Sequence, residues 1–208
     1  AEIIGFGYGK SSGIKSGVIT DLDKAEQAIR SVVGMAERAA GLTLESVLVN
    51  VTAGRLGSET FSATVSLGGQ EVEKSDLVRV LRAVNERSVR PERSIIHALP
   101  IGYSLDGQKG VKDPLGMVGE KLGVDVSVVS AETLAMRNIE RVLHRCHLQI
   151  EALVATPYAS GLATLVDDES QLGVACLDFG GATTTVAVFA DSQLVYADAI
   201  AIGGHHLT

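Results

Sequence analysis

Between Gly173 and Ile202 the chain carries three apolar runs, separated by turns too short for anything but reversal. Gly173 to Phe179, Thr183 to Ala190 and Leu194 to Ile202 read as strands, because each is rich in Val, Leu and Ala and bounded by turn formers. Gly180-Gly181-Ala182 makes the first connection, and Asp191-Ser192-Gln193 a tight hairpin. Such a segment must form an antiparallel meander with an acidic side chain, Asp178, at the end of its first strand.

The rest of the chain surrounds this meander with alternating strands and helices. Asp21 is a helix N-cap followed by apolar residues at helical spacing as far as Ala40, and Gly41 stops the run. Val47 to Ala53 and Thr60 to Leu67 read as strands. Ser75 caps a second helix that ends before Pro91, and Ser94 to Leu105 is a strand interrupted at Pro100. Asp106 to Met117 is rich in turn formers, Val124 to Val129 is a strand, and Ala131 to Arg145 is a helix. Leu148 to Ala155 then forms a strand and Pro157 to Val166 a short helix. Interleaving of this kind predicts an α/β fold. Ile3-Ile4-Gly5-Phe6-Gly7 reads as a strand already in progress, and Gly203 to Thr208 as a turn opening a helix, so both ends look cut from a longer chain.

The chemistry concentrates at Leu177-Asp178-Phe179-Gly180-Gly181-Ala182-Thr183-Thr184. Glycines let backbone N–H groups reach an anion without an intervening Cβ, and Thr183 and Thr184 add hydroxyl donors. Asp178 is placed to orient a water of hydrated Mg2+, an ion that keeps several waters and takes few carboxylates. An ordinary hairpin whose turn contains Asp and Gly has the same residues. A second glycine pair, Gly203-Gly204, follows the third strand, where a helix N-terminus would favour phosphate, and His205 stands beside it as a contact or as a solvated side chain.

Other candidates carry less. His144, Cys146 and His147 lack the ligand spacing of a zinc site. His97 stands alone on a strand and reads as packed, and Ser160 lies outside any nucleophile-elbow pattern. Arg79, Arg82, Arg87, Arg90 and Arg93 spread along one helix and its exit as a solvated face. A formal net charge of −7 argues against a nucleic-acid partner. No apolar run reaches the roughly 18 residues of a membrane span, and the two cysteines, Cys146 and Cys176, suggest reduced thiols in a cytosolic protein.

With the Asp178 and Gly203-Gly204 turns the chain resembles the actin/Hsp70 ATPase superfamily, the first turn being similar to its second phosphate motif and the second to its later glycine turn. Within that superfamily, Gly13-Ile14-Lys15-Ser16-Gly17-Val18-Ile19-Thr20-Asp21 resembles FtsA, the actin homologue of the bacterial division ring. So does the stretch from Ile95-Ile96-His97-Ala98-Leu99-Pro100 through Gly110-Val111-Lys112-Asp113-Pro114-Leu115-Gly116-Met117, and the likeness spans essentially all 208 residues. The resemblance implies an α/β, actin-like (ribonuclease-H-like) ATPase fold, partial, with an inserted α+β subdomain of SHS2 type. Residues 1–54 and 131–171 would belong to subdomain 1A, 55–130 to the inserted subdomain 1C, and 172–208 would begin subdomain 2A.

It further implies ATP and Mg2+ bound at Asp178, Gly180, Gly181, Thr183, Thr184, Gly203, Gly204 and His205, with weak ATPase activity at best. Expected partners are the tubulin-like protein FtsZ, further copies in a filament, and other division proteins through 1C. Membrane attachment at the inner face of the division site would use a C-terminal helix absent from these residues. A kinase-like ATPase and a pilus-assembly scaffold are the alternatives on the same fold. The family's first phosphate loop would precede Ala1 and its adenine-side residues would follow Thr208. Two positions depart from the superfamily pattern: Ala182 replaces a glycine, and Thr185 a second aspartate. An insert of this kind is also expected to be removable, so that loss of 55–130 impairs assembly and spares nucleotide binding.

Overall fold

A computed structural model describes residues 2–52 and 54–206. It begins with a small hairpin, β1 (Ile14–Lys15) and β2 (Val18–Ile19). Ser16 and Gly17 between them have φ of 46° and 76°, which suits the twist of a two-residue connection. Helix α1 (Leu22–Ala40) follows, capped by the Asp21 carboxylate accepting from the Lys24 amide and closed by Gly41 in the left-handed region. Strand β3 (Ser46–Val51) pairs in parallel with β8 (Gln149–Ala155). Helix α3 (Thr133–Arg145) packs with α1 over this pair, burying Ala25, Val142, Leu143 and Leu148.

A second sheet has seven strands in the order β6-β5-β7-β4-β11-β10-β9. Strands β4 (Gly57–Ser66), β5 (Arg93–Leu105), β6 (Gln108–Val111) and β7 (Lys121–Glu132) form one half. Helix α2 (Lys74–Ser88) covers it, burying Val80 and Val84 against Val124, Val126 and Val128. The meander β9 (Val174–Phe179), β10 (Thr184–Ala190) and β11 (Gln193–Ile200) forms the other half. The halves meet through the single pair Asp198–Gly57 and through the Ala197 amide, which donates to Ser58 Oγ at 2.7 Å. Below that seam Leu56, Val129 and Ala131 share one core with Ala155, Ala187, Phe189 and Leu194.

Several sequence expectations are corrected here. Residues Ile3 to Gly7 form no strand; they run over α1, where a Cβ on Gly5 would lie 2.7 Å from the Ala36 carbonyl oxygen. Helix α2 is capped at Glu73, two residues before Ser75, because the Asp76 carboxylate accepts from the Glu73 amide at 3.0 Å and closes a capping box there. Strand β5 runs unbroken through Pro100, with an irregularity between Pro100 and Gly102 that absorbs the missing donor. Ala131 and Glu132 finish β7 by pairing with Ser94 and Arg93, so α3 begins only at Thr133. The expected helix from Pro157 is α4 (Thr156–Thr164), and a second, unexpected helix follows it, α5 (Asp167–Leu172). After β11 the described residues end in a 3-10 turn, Gly204–His206; Ala53, Leu207 and Thr208, which end two of the expected elements, lie outside the described residues.

Candidate functional site

Strand β9 delivers Asp178 opposite Thr185 of β10, and Phe179 opposite Thr184. The chain then reverses, with the Gly180 amide donating to the Thr183 carbonyl at 2.9 Å. The amides of Gly181, Ala182 and Thr183 find no acceptor among the described residues. They are three unpaired donors in consecutive residues at an accessible bend, the arrangement in which backbone binds anions. Neither Ala182 nor the glycines of this bend has a positive φ. Alanine therefore fits at 182 without left-handed strain, and the departure from glycine there is harmless to the backbone.

The second glycine pair lies against the first. The Gly204 amide donates to the Gly180 carbonyl at 2.9 Å, and the His205 amide to the Gly181 carbonyl at 2.8 Å. Gly203 is needed for the approach, since a Cβ there would lie 2.5 Å from the Gly180 oxygen and 2.7 Å from the Ala182 nitrogen. Thr184 Oγ1 ties in as well, donating to the Ile202 carbonyl at 2.7 Å. The two bends thus converge, but in different roles. The amides of Gly204 and His205 are engaged with the first bend rather than free for an anion, and the Thr184 hydroxyl proton is likewise engaged. Gly203-Gly204-His205 braces the bend at Gly180–Thr183, and the His205 ring lies over Gly181.

Helix α4 completes the site from behind. Ser160 Oγ donates to Asp178 Oδ2 at 2.9 Å, holding a half-buried carboxylate whose other oxygen has no partner among the described residues. Sequence reasoning considered Ser160 only as a nucleophile; its α4 position facing β9 emerges from packing. Gly161 lets the helix approach this closely, because a Cβ there would overlap the Phe189 ring. Thr185 is 2% exposed, and its Oγ1 has no hydrogen-bond partner among the described residues.

The remaining candidates have structural work. His97 Nε2 accepts from the Ala155 amide at 3.0 Å, and its ring meets Tyr158 edge-on at 5.0 Å. Burial holds its pKa below the ordinary imidazole value, in keeping with a neutral acceptor. Arg79 and Arg82 pair with Asp76 and Glu86, Arg90 makes a forked pair with Glu59, and Arg87 and Arg93 donate to backbone carbonyls on neighbouring strands. Cys146 ends α3, with its thiol directed to the Glu26 carbonyl and its pKa raised by burial. No helix among the described residues is long and apolar enough to cross a membrane.

A free carboxylate oxygen, three unpaired amides and an orphaned buried hydroxyl form a donor set that fits a phosphate with a hydrated divalent cation. Residues 53–130 match the family described as the SHS2 domain inserted in FTSA. The chain is 56% identical to the cell division protein FtsA of Rhizobium meliloti and 57% identical to that of Agrobacterium fabrum, over 100% of this chain and 47% of each relative. It therefore spans about half the length of the curated relatives it matches. Among solved structures, the PilM-PilN type IV pilus biogenesis complex superposes with a TM-score of 0.62 over 95% of this chain and 53% of that one. At 16% identity, that likeness shows the shared actin-like ATPase fold alone. Over the half of its relatives that it spans, the chain is similar throughout to the cell division protein FtsA, and its residues 53–130 match the SHS2 domain inserted in that family.

Proposed function

We propose that this chain forms the phosphate-binding side of an ATP site in an actin-like scaffold of the bacterial division ring. The observation that supports it most is the convergence of the two glycine bends beside Asp178, with the amides of Gly181, Ala182 and Thr183 left without an acceptor among the described residues. Those amides and the Thr183 hydroxyl hold phosphate oxygens, while Asp178 orients a water of the accompanying Mg2+. His205, lying over Gly181, screens the bound phosphates from one side. Bound Mg-ATP would supply the charge and contacts that set the polymer state, and hydrolysis of its terminal phosphate would reset it.

In this reading residues 1–54 and 131–171 make subdomain 1A, 55–130 the inserted 1C, and 172–208 the start of 2A. The scaffold self-associates into filaments, holds FtsZ at the inner face of the membrane and meets other division proteins through 1C. Attachment to the lipid belongs to a C-terminal helix outside these residues. Asp178→Ala in the full-length protein is expected to weaken Mg-ATP binding about tenfold or more, since hydrogen bonds to charged groups contribute about 1.5–3 kcal/mol. Calorimetry checks this, with a circular dichroism melt to confirm folding; unchanged affinity would remove Asp178 from the site. Sedimentation with and without Mg-ATP distinguishes a polymerising scaffold from a soluble kinase-like enzyme.

A further inference from the structure

Strand β10 presents Thr185, Ala187 and Phe189 to the side covered by α4, and Ala187 and Phe189 there belong to the apolar core. A hydroxyl on that face is out of place. Thr185 is 2% exposed and its Oγ1 is unpartnered, which opposes folding, whereas valine has nearly the same shape without the polar atom. Thr185 is also the residue directly across from Asp178, and such antiparallel partners project to the same face with neighbouring Cβ atoms. The orphan is therefore beside the one carboxylate of the site. Over both lies α4, whose Ser160 holds Asp178 Oδ2.

We propose that Ser160 positions the Asp178 carboxylate and that Thr185 positions a water of the cation beside it. This rests on the nucleotide reading above. Ser160 fixes one oxygen and so directs the other toward the Gly180–Thr183 bend. The Thr185 hydroxyl pairs with a water in the shell of the nucleotide-bound cation, a partner present only when Mg-ATP is bound. Ser160 and Thr185 touch neither phosphate nor metal; they act through Asp178 and through that water. The superfamily's second aspartate is thus replaced at 185 by a neutral group, and a hydrogen bond to water takes over from a charge.

The test uses the full-length protein, ATP titrated with Mg2+ or with EDTA, and urea unfolding without nucleotide. Thr185→Val is expected to leave the urea midpoint unchanged or raise it, while weakening Mg-ATP binding about three- to tenfold, the ratio that one net hydrogen bond confers. Its affinity for ATP in EDTA stays as in wild type. Ser160→Ala is expected to weaken Mg-ATP binding by a similar factor, and Ser160→Thr, which keeps the hydroxyl, restores most of it. Thr185→Ser likewise retains binding. Wild-type Mg-ATP affinity in Thr185→Val shows that the orphan is only a tolerated packing defect and overturns its role. Equal losses in Ser160→Ala and Ser160→Thr mean that α4 packing, not the hydroxyl, is being read, and overturn the role of Ser160. If the wild-type protein shows no Mg2+-dependent change in ATP affinity, or Asp178→Ala binds Mg-ATP as tightly as wild type, the nucleotide reading itself fails, an outcome separate from either of these.

Discussion

His97 illustrates how one side chain ties a subdomain in place and makes the tie sensitive to acid. The register of β5 shifts between Ile95 and His97, so the bulge at Ile96 directs the imidazole toward the end of β8. There Nε2 accepts the Ala155 amide, a bond that only the unprotonated ring can accept. Burial lowers the folded-state pKa below the ordinary imidazole value of 6.5. Below 6.5 the unfolded chain therefore binds a proton that the folded one resists, and stability falls as pH drops through that value to the folded pKa. Above it the contribution is fully present. Urea midpoints at pH 7.5 and 5.5 should differ for the wild type, and His97→Gln should shrink that difference. An unchanged pH dependence in the variant would show that His97 is not its source.

Helix α4 shows two opposing effects at one position. Glycine in a helix interior is less favourable than alanine by about 1 kcal/mol, so propensity alone recommends Gly161→Ala. The new Cβ would, however, fall within the Phe189 ring, and overpacking of this kind costs about 1–3 kcal/mol. Packing wins, because the added carbon meets ring atoms, and the variant is expected to be destabilised by up to about 2 kcal/mol on balance. Chemical denaturation measures it. A more stable Gly161→Ala would mean that α4 can shift without cost. Because Ser160 is the neighbouring residue, a displaced helix would also draw its hydroxyl away from Asp178.

For the molecule as a whole, the insert is part of the core. Leu56 and Val129 belong to residues 55–130, yet both pack with Ala155, Phe189 and Leu194 at or below 3% exposure. Leu56 alone, fully buried, contributes roughly 1.5–3 kcal/mol, and His97, Ser58 and Gly57 add hydrogen bonds and strand pairing to the flanking elements. The expectation that 55–130 can be removed while nucleotide binding survives is therefore revised. Its deletion should abolish cooperative unfolding and open the remainder to protease, as a thermal melt and limited trypsin digestion would show. A deletion variant that still melts cooperatively would mean that the shared core is dispensable.

Most elements were legible in the sequence because their signals are local. The Asp21 and Gly41 caps, the Asp191-Ser192 hairpin and the apolar runs of β9, β10 and β11 each arise from residues a few positions apart. That the bends at Gly180 and Gly203 lie together also followed in outline, since both end neighbouring strands. Their division of labour did not. Whether an amide is free depends on which carbonyl lies opposite it, and only the packed chain brings Gly180 and Gly181 to Gly204 and His205. Ser160 meets Asp178, Thr185 lacks a partner and Leu56 joins the central core for the same reason. By itself the sequence determined where strands and helices form, because backbone preference and capping act over a turn or two. Tertiary structure alone decided which polar groups are satisfied and which remain open to a ligand, because hydrogen bonds and burial are shared between residues far apart in the chain.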